Sequence, residues 1–343
     1  MPDRGPLPPL LARTIGPLAE AIYKAEATRR SQRFDAGIGV LSLDRPVISV
    51  GNLSVGGTGK TPLVAAICRW LIEAERRPVI AMRGYKATDA HGSDEADEYA
   101  RTLPGVPVVA NPARHAGLVA FFETAEGRRV DTIVLDDGFQ HRKLARDLDI
   151  VLIDAGRDPF ADRCLPMGWL REPVESLSRA HAVVLTHAEL CESEQLESLR
   201  DRSDAIGVTE HAWTGLRVND SEGESAMSPE WLAGRHVVAA CGIGRAEGFR
   251  RCAERVIGGP LCGWFERPDH DPFRPATVRA LRGLLKETKA EALLVTEKDW
   301  SKLRHEPVET WGCPVVRPVL QLRWRAGEEA LRERVLRTAR ANP

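Results

Sequence analysis

The sequence predicts an α/β protein with a mostly parallel sheet, and three observations predict it. Short apolar runs alternate with amphipathic stretches from Arg45 onward, one run feeds a glycine-rich turn and then a helical pattern, and another ends directly in two aspartates. At 343 residues, 43% hydrophobic and 28% charged, the chain is long enough to bury one large core or two moderate ones. Apolar runs place strands at 46–50, 78–82, 106–109, 132–135, 150–153, 182–185, 236–240 and 292–295. Helical spacing places helices at 61–75, 112–124, 189–200, 246–256, 276–289 and 328–341. The small, polar stretch 219–228 reads as a linker between a larger domain over 37–218 and a smaller α/β domain over 229–343, whose last helix packs on either.

Charge and cysteine usage exclude several classes. Lys+Arg total 48 against 49 for Asp+Glu, a formal net charge of -1, so no global field draws nucleic acid or an anionic membrane to the chain, and no nucleic-acid partner is expected. The 7 cysteines are scattered without a CxxC pair, which fits a reduced, cytoplasmic compartment better than a disulfide framework or a zinc ribbon. No run of about 18 apolar residues occurs, which argues against a membrane-spanning helix. Pro8, Pro9 and Arg13 also break the first apolar stretch before it reaches the length of a signal peptide's core.

Residues 1–36 differ from the rest. Leu7, Leu10, Leu11, Ile15, Leu18 and Ile22 recur at helical spacing, and Arg13, Lys24, Arg29, Arg30 and Arg33 supply positive charge. Gly16-Pro17 splits this pattern into two helical pieces, the second starting near Pro17, where proline is tolerated in a first turn. Such a segment either packs on its own domain or lies on a membrane surface, apolar face down and basic residues toward lipid phosphates.

The strongest chemical signal is the apolar strand Val47-Ile-Ser-Val-Gly51 followed by Asn52-Leu-Ser-Val-Gly-Gly-Thr-Gly-Lys60-Thr61. That is a phosphate-binding loop in its required context, strand before and helix after. Backbone N–H groups of Ser54, Val55, Gly56, Gly57, Thr58 and Gly59 would converge on phosphate oxygens, Lys60 would reach the β and γ phosphates, and the Thr61 hydroxyl would face Mg²⁺. Ser54 stands where the strict pattern has glycine. Such a loop needs an acid from a neighbouring strand to hold the metal, and the run 132–135 ends in Asp136-Asp137. Adjacent carboxylates repel unless a cation or hydrogen bonds separate them, so both are candidate metal holders. Gln140 and His141 follow and are candidates for contact with nucleotide or acceptor.

Together the loop SVGGTGKTP at 54–62 and the segment DDGFQHRKLARD at 136–147 strongly resemble the tetraacyldisaccharide 4′-kinase family. Further matches run in the family's order: Arg83-Gly84-Tyr85, Ser93-Asp94-Glu95, Asn111 to Arg114, Leu165-Pro166 through Leu170-Arg171-Glu172-Pro173, Gly242-Ile243-Gly244, Asp269-His270 and Thr296-Glu297-Lys298-Asp299. The resemblance spans roughly residues 40 to 325. It implies two α/β/α domains, the larger a three-layer P-loop NTPase-like domain and the second a smaller α/β domain. It also implies transfer of the γ-phosphoryl group of ATP, with Mg²⁺, to the 4′-hydroxyl of tetraacyldisaccharide 1-phosphate, giving lipid IVA. Attachment of the N-terminal helix to the cytoplasmic face of the inner membrane is implied too, as a peripheral contact. The family's aspartate and histidine that serve the acceptor hydroxyl correspond to Asp94 and His270. A carboxylate in reach of a weakly acidic sugar hydroxyl orients it and takes its proton late, and an imidazole fixes that carboxylate. For the acceptor's 1-phosphate, Arg171 and Arg114 are the candidate cations, with an Arg171–Glu172 ion pair as the structural alternative.

The chain departs from the family at several places. Ser93 and Ala96 replace a glycine and a proline around Asp94-Glu95, and Asp271 follows the Asp269-His270 pair where a second histidine or an aromatic residue is usual. Asp271 would raise the pKa of His270 or face solvent. The segments Phe160-Ala-Asp-Arg-Cys164 and Met167-Gly-Trp169 are likewise unlike the family, which bears on acyl-chain preference.

Two rival readings weaken on spacing, and a third stands as the alternative. Thr296-Glu-Lys-Asp299 approaches the guanine-reading [NT]-K-x-D pattern, but its lysine and aspartate are adjacent, which favours ATP over GTP. Gly242-Ile-Gly244 is followed by Gly248, one residue too late for a dinucleotide loop. A membrane-associated ATPase switch without a lipid acceptor uses the same loop and helix, and differs in hydrolysing ATP when no acceptor is present.

Overall fold

The computed structural model describes residues 6–84, 94–244, 246–268 and 271–340, and of residues 9, 10, 94, 95 and 97 the backbone only. The chain divides into two compact units, Met1–Glu210 with Leu322–Pro343, and His211–Gln321. In chain order the first unit holds α1 (Pro9–Thr14), α2 (Gly16–Asp35), β1 (Val47–Asn52), α3 (Lys60–Glu73), β2 (Pro78–Met82), α4 (Asp94–Thr102), β3 (Val108–Ala110), α5 (Arg114–Phe122), β4 (Thr132–Asp136), β5 (Leu148–Asp154), β6 (Ala182–Thr186) and α6 (Ser193–Ser203). It also holds the start of β7 (Gly207–Asp220). The second unit continues with β8 (Gly223–Met227), β9 (Val237–Cys241), α7 (Ala246–Ile257), β10 (Gly263–Glu266), α8 (Pro275–Thr288), β11 (Ala292–Val295) and α9 (Glu297–Leu303). Strand β12 (Val315–Ala326) carries the chain back to the first unit, where α10 (Glu328–Arg340) closes it.

In the first unit the strands lie in the order β6-β5-β1-β4-β2-β3, all parallel. Every residue of β1, β2, β4, β5 and β6 is buried, as expected of parallel strands covered on both faces. Alternate residues face opposite sides. Ile48, Val50, Ile80, Met82 and Val134 pack under Leu63, Val64, Ile67 and Leu71 of α3 and Leu331, Val335 and Ala339 of α10. Val47, Val79, Ala81, Ile133 and Leu135 pack on the other side with Leu118 of α5. Four fully buried aliphatic side chains on α3 contribute about 1.5–3 kcal/mol each, so the helix that opens at Lys60 is held rigidly against the sheet.

The second unit is a smaller α/β layer structure with β9 between β10 and β11, and β11 beside β12, all parallel. Its two faces are covered by α7, through Phe249, Ala253 and Ile257, and by α8, through Val278, Leu281 and Leu285.

The expected linker at 219–228 is instead the turn and second strand of an antiparallel hairpin, with Leu216 opposite Met227 and Asp220 opposite Gly223. The Asp220 carboxylate accepts from Glu222 N at 2.9 Å, and Gly223 takes φ +122°, so small polar residues here build a tight turn. The expected limits 37–218 and 229–343 shift accordingly. The division falls inside β7 and inside β12, and α10 belongs to the first unit, where Arg332 pairs with Glu73 at 2.9 Å and Trp70 stacks on Trp324 at 5.9 Å. Strands β7, β8, β10 and β12 and helices α4 and α9 are additions to the expected elements, and α6 begins at Ser193, after a separate turn at Ala188–Leu190.

Helix α2 has two faces. Glu20, only 4% exposed, pairs with Lys24 at 3.3 Å and with Arg163, and accepts from Cys164 N at 3.1 Å. Tyr23 donates to the Arg171 carbonyl at 2.9 Å, and Arg142 donates to Ser31 Oγ at 2.8 Å and to the Asp35 carboxylate at 2.7 Å. On the other side, Leu18 and Ile22 of α2, Leu11 of α1 and Ile15 between the two helices are exposed by 67%, 62%, 43% and 53%. The segment thus forms two helical pieces, as expected, and α2 packs on its own unit through Glu20 and Tyr23.

Candidate active site

Strand β1 delivers the loop 53–59 at its carboxyl end, and the loop turns into α3 at Gly59, whose φ of +77° suits glycine. No side chain caps α3, and no acidic residue stands in its first turn, so its N–H groups and positive dipole end are left for an anion. Gly56 takes φ +119°, and a Cβ there or on Gly57 would meet nothing within 4 Å, so both line open space. Ser54 does not need glycine's freedom. It lies in an antiparallel bridge to Leu170, flanked by Arg171 N donating to Leu53 O at 2.7 Å and Val55 N to Trp169 O at 2.8 Å. The far end of the loop is held by Thr186 at the end of β6, whose hydroxyl donates to the carbonyl of buried Thr58 at 2.9 Å.

Around this loop the structure gathers Lys60, Thr61, Asp136, Asp137, Gln140, Arg114 and Arg171. Lys60 Nζ donates to Asn52 Oδ1 at 3.2 Å and lies 3.4 Å from Asp137 Oδ1. Asn52, at the last position of β1, also donates to Ser54 O at 2.6 Å. Asp137 has φ +51°, and its carboxylate meets Arg171 and Lys60, while that of Asp136 accepts from Tyr99. Burial alone would raise the Asp137 carboxyl, but Lys60, Arg171 and Arg114 outweigh it and hold the group below the ordinary carboxylate range. Gln140 bridges the same groups, donating to Asn52 O at 2.9 Å and accepting from Arg171 Nη1 at 3.3 Å.

Arg114 is 3% exposed, and its guanidinium donates to the carbonyls of Asp136 at 2.8 Å and Asp137 at 3.2 Å. It therefore braces the strand end that carries the acids, which corrects its expected role as a partner of a substrate phosphate. The Arg171–Glu172 pair does not form: Arg171 Nη1 binds Asp137, while Glu172 pairs with Arg179 at 2.7 Å. Burial, and then the charges of Arg114, Arg146, Lys143 and Arg83, push the His141 imidazole down to about 4, so it is neutral near pH 7.

Asp136, at the end of β4, is 5% exposed, and its Oδ2 accepts from the Tyr99 hydroxyl at 3.0 Å. The Thr61 hydroxyl, in the first turn of α3, and the Asp136 carboxylate, at the end of β4, are hard oxygen donors of the kind Mg²⁺ takes, so their chemistry fits that ion. Asp137 is taken up by Arg171 and Lys60.

Of the expected catalytic pair, Asp94 is the first residue of α4, and His270 lies outside the described residues, as do Tyr85, Ser93 and Asp269. In the second unit the family-like motifs form a buried knot. Asp299, fully buried, accepts from Gly242 N at 3.2 Å and from the Thr296 hydroxyl at 2.6 Å, and Thr296 caps α9. An aspartate so engaged does not read a guanine base. Asp271 neither faces solvent nor stands free, because Arg267 Nε donates to it at 3.1 Å and Phe273 N at 2.8 Å. Asn52, Tyr99 and Thr186 are site residues that sequence reasoning passed over. The one signal for Asn52 was a polar residue closing an apolar strand run.

A glycine loop opening onto an uncapped helix, with a lysine and two strand-end acids beside it, defines a P-loop nucleotide-binding protein of the α/β class. Within that class, the chain belongs to the tetraacyldisaccharide-1-P 4′-kinase family, whose model matches residues 11–340. The tetraacyldisaccharide 4′-kinase of Anaeromyxobacter dehalogenans (strain 2CP-1 / ATCC BAA-258) is 39% identical over 312 residues, 83% of this chain and 80% of that one. That of Chlorobium phaeovibrioides (strain DSM 265 / 1930) is 34% identical over 313 residues, 84% and 86% of the two chains. Among solved structures, the "apo" form of LpxK from Aquifex aeolicus in complex with ATP matches with a TM-score of 0.68 at 29% identity, covering 96% of this chain and 99% of that one. The resemblance carried by residues 54–62 and 136–147 is thereby borne out, as is the α/β fold. The family is one of kinases.

Proposed function

We propose that the chain is an ATP-dependent lipid kinase that phosphorylates the 4′-hydroxyl of tetraacyldisaccharide 1-phosphate to give lipid IVA. The observation that carries this reading is the open, uncapped N-terminus of the helix that begins at Lys60 and Thr61, with the Asp137 carboxylate 3.4 Å from Lys60 Nζ, in a chain of this family. Backbone N–H groups of the loop and the N-terminus of α3 bind the phosphates of ATP, and Lys60 leaves Asn52 and Asp137 to meet the β and γ oxygens. Thr61 and Asp136 hold Mg²⁺, which when bound neutralises charge on the phosphate oxygens. Asp94 orients the 4′-hydroxyl and accepts its proton late, with His270 fixing the carboxylate. The bond from the 4′-oxygen to the γ-phosphorus forms as the bond to the β,γ-bridging oxygen breaks, and ADP leaves.

The acceptor's acyl chains reside in a bilayer, and α2 suits such a surface. Leu18 and Ile22 of α2 are exposed together with Leu11 of α1 and Ile15 between the helices, Arg13, Arg29, Arg30 and Arg33 are exposed along the same segment, and α2 is pinned to its unit by Glu20 and Tyr23. Among the described residues no helix is long and apolar enough to cross a membrane. The proposed location is therefore peripheral, at the cytoplasmic face of the inner membrane.

The test is transfer of labelled γ-phosphate from ATP to tetraacyldisaccharide 1-phosphate in detergent micelles, wild type beside Asp94→Ala. A bisphosphorylated lipid from wild type, and little from the variant with ATP binding retained, is the expected result. ATP hydrolysis without any labelled lipid would overturn the reading in favour of an ATPase switch.

A further inference from the structure

Helix α4 has the sequence Asp-Glu-Ala-Asp-Glu-Tyr-Ala-Arg-Thr, and among its acidic and small residues stands one large aromatic side chain. Tyr99 is fully buried, its ring in the core formed by α3, α10 and the sheet. Any apolar side chain of similar size would fill that space. What tyrosine adds is one oxygen, and a buried hydroxyl is costly unless it finds partners. Here it donates to Asp136 Oδ2 at 3.0 Å. That carboxylate, at the end of β4, is one of the two groups that the proposed function assigns to the metal.

We infer that Tyr99 is a positioning residue for the divalent metal: its hydroxyl holds one oxygen of Asp136 so that the carboxylate presents its other oxygen to the ion. The inference rests on the metal assignment made under the proposed function. The geometry explains why a phenol sits in an otherwise apolar core. A carboxylate with one oxygen fixed by a hydrogen bond has its plane fixed too, which is how outer groups orient metal-binding ones. Tyr99 also ties α4, and so the backbone that begins at Asp94, to the strand end carrying Asp136.

The test is ATP affinity measured by calorimetry with Mg²⁺ and with EDTA, for wild type and Tyr99→Phe. The wild type should bind ATP more tightly with Mg²⁺. Tyr99→Phe should lose about tenfold of that gain, the lower end for an outer-shell partner, while its affinity in EDTA stays within about twofold. The Mg²⁺ concentration for half-maximal turnover should rise in parallel. Should the variant prove less stable, the ligand-induced shift in Tm, with and without Mg²⁺, reads the same gain. Asp136→Asn supplies the second arm, because Tyr99→Phe should cost nothing further in that background. A gain fully retained in Tyr99→Phe, equal losses with Mg²⁺ and with EDTA, or additive losses with Asp136→Asn would each overturn the inference. A wild type that gains nothing from Mg²⁺ would instead overturn the metal assignment itself, and the inference with it.

Discussion

Arg171 Nη1 stands 2.9 Å from each carboxylate oxygen of Asp137, while Lys60 Nζ reaches the same carboxylate at 3.4 Å. The arginine thus shares the acid that would otherwise hold the loop lysine alone. Arg171→Met should leave Lys60 more tightly held by Asp137 and raise the KM for ATP severalfold. With one cation gone, the Asp137 carboxyl should also rise toward its ordinary range, moving the acid limb of the kcat/KM profile to higher pH. Profiles of the variant and wild type between about pH 3 and 5 that superimpose would remove Arg171 from this role.

His141 gives a second pH signature. Its folded pKa of about 4 lies below the ordinary 6.5, so the unfolded chain binds the proton first. The contribution of neutral His141 is complete above about 6.5 and is lost as pH falls toward 4. Wild-type Tm should therefore decline across that window, and His141→Asn should flatten the decline; parallel Tm curves for the two proteins would contradict the assignment.

Thr186→Val keeps shape and removes one hydrogen bond, leaving the Thr58 carbonyl short of its donor. The expected cost is about 1 kcal/mol in the organisation of the loop, or roughly a fivefold loss of ATP affinity, with little change in the fold. Equal ATP affinity in variant and wild type would mean that the loop does not depend on β6.

Leu18 and Ile22 are exposed, so Leu18→Ser with Ile22→Ser should change stability by no more than about 0.5 kcal/mol each. If α2 lies on lipid, each loses about 1.5–3 kcal/mol of burial, and sedimentation with anionic vesicles should fall by at least tenfold. Undiminished sedimentation would show that the stripe faces something other than a bilayer.

The loop and its acids were legible because they are contiguous. Lys60 and Thr61 follow the glycines directly, and Asp136 and Asp137 close an apolar run. Tyr99, Asn52 and Thr186 were not, since each acts on a residue brought near only by the fold: Tyr99 on Asp136, Asn52 on Lys60, Thr186 on Thr58. Arg114 misled for the same reason, because a buried guanidinium holding two carbonyls looks in sequence like any cation awaiting a phosphate. The division between units was expected at 219–228 because the actual boundaries fall inside β7 and β12, where an extended chain gives no change of period. The hairpin at 219–228 was hidden by an exposed second strand, Gly-Glu-Ser-Ala-Met, with no apolar run to mark it.

The return of the chain through β12 has a consequence for how the protein is made. Leu331, Val335 and Ala339 of α10 are fully buried beside Ile67 and Leu71 of α3, so the nucleotide-binding unit is missing part of its interior until those residues emerge. During synthesis at about 5–20 residues per second, the His211–Gln321 segment is complete before its host can close. Strands that open a nascent chain would wait, partly uncovered, for a helix translated after the second unit, and a ribosome that stalls after residue 321 would leave an exposed apolar groove for chaperones to shield.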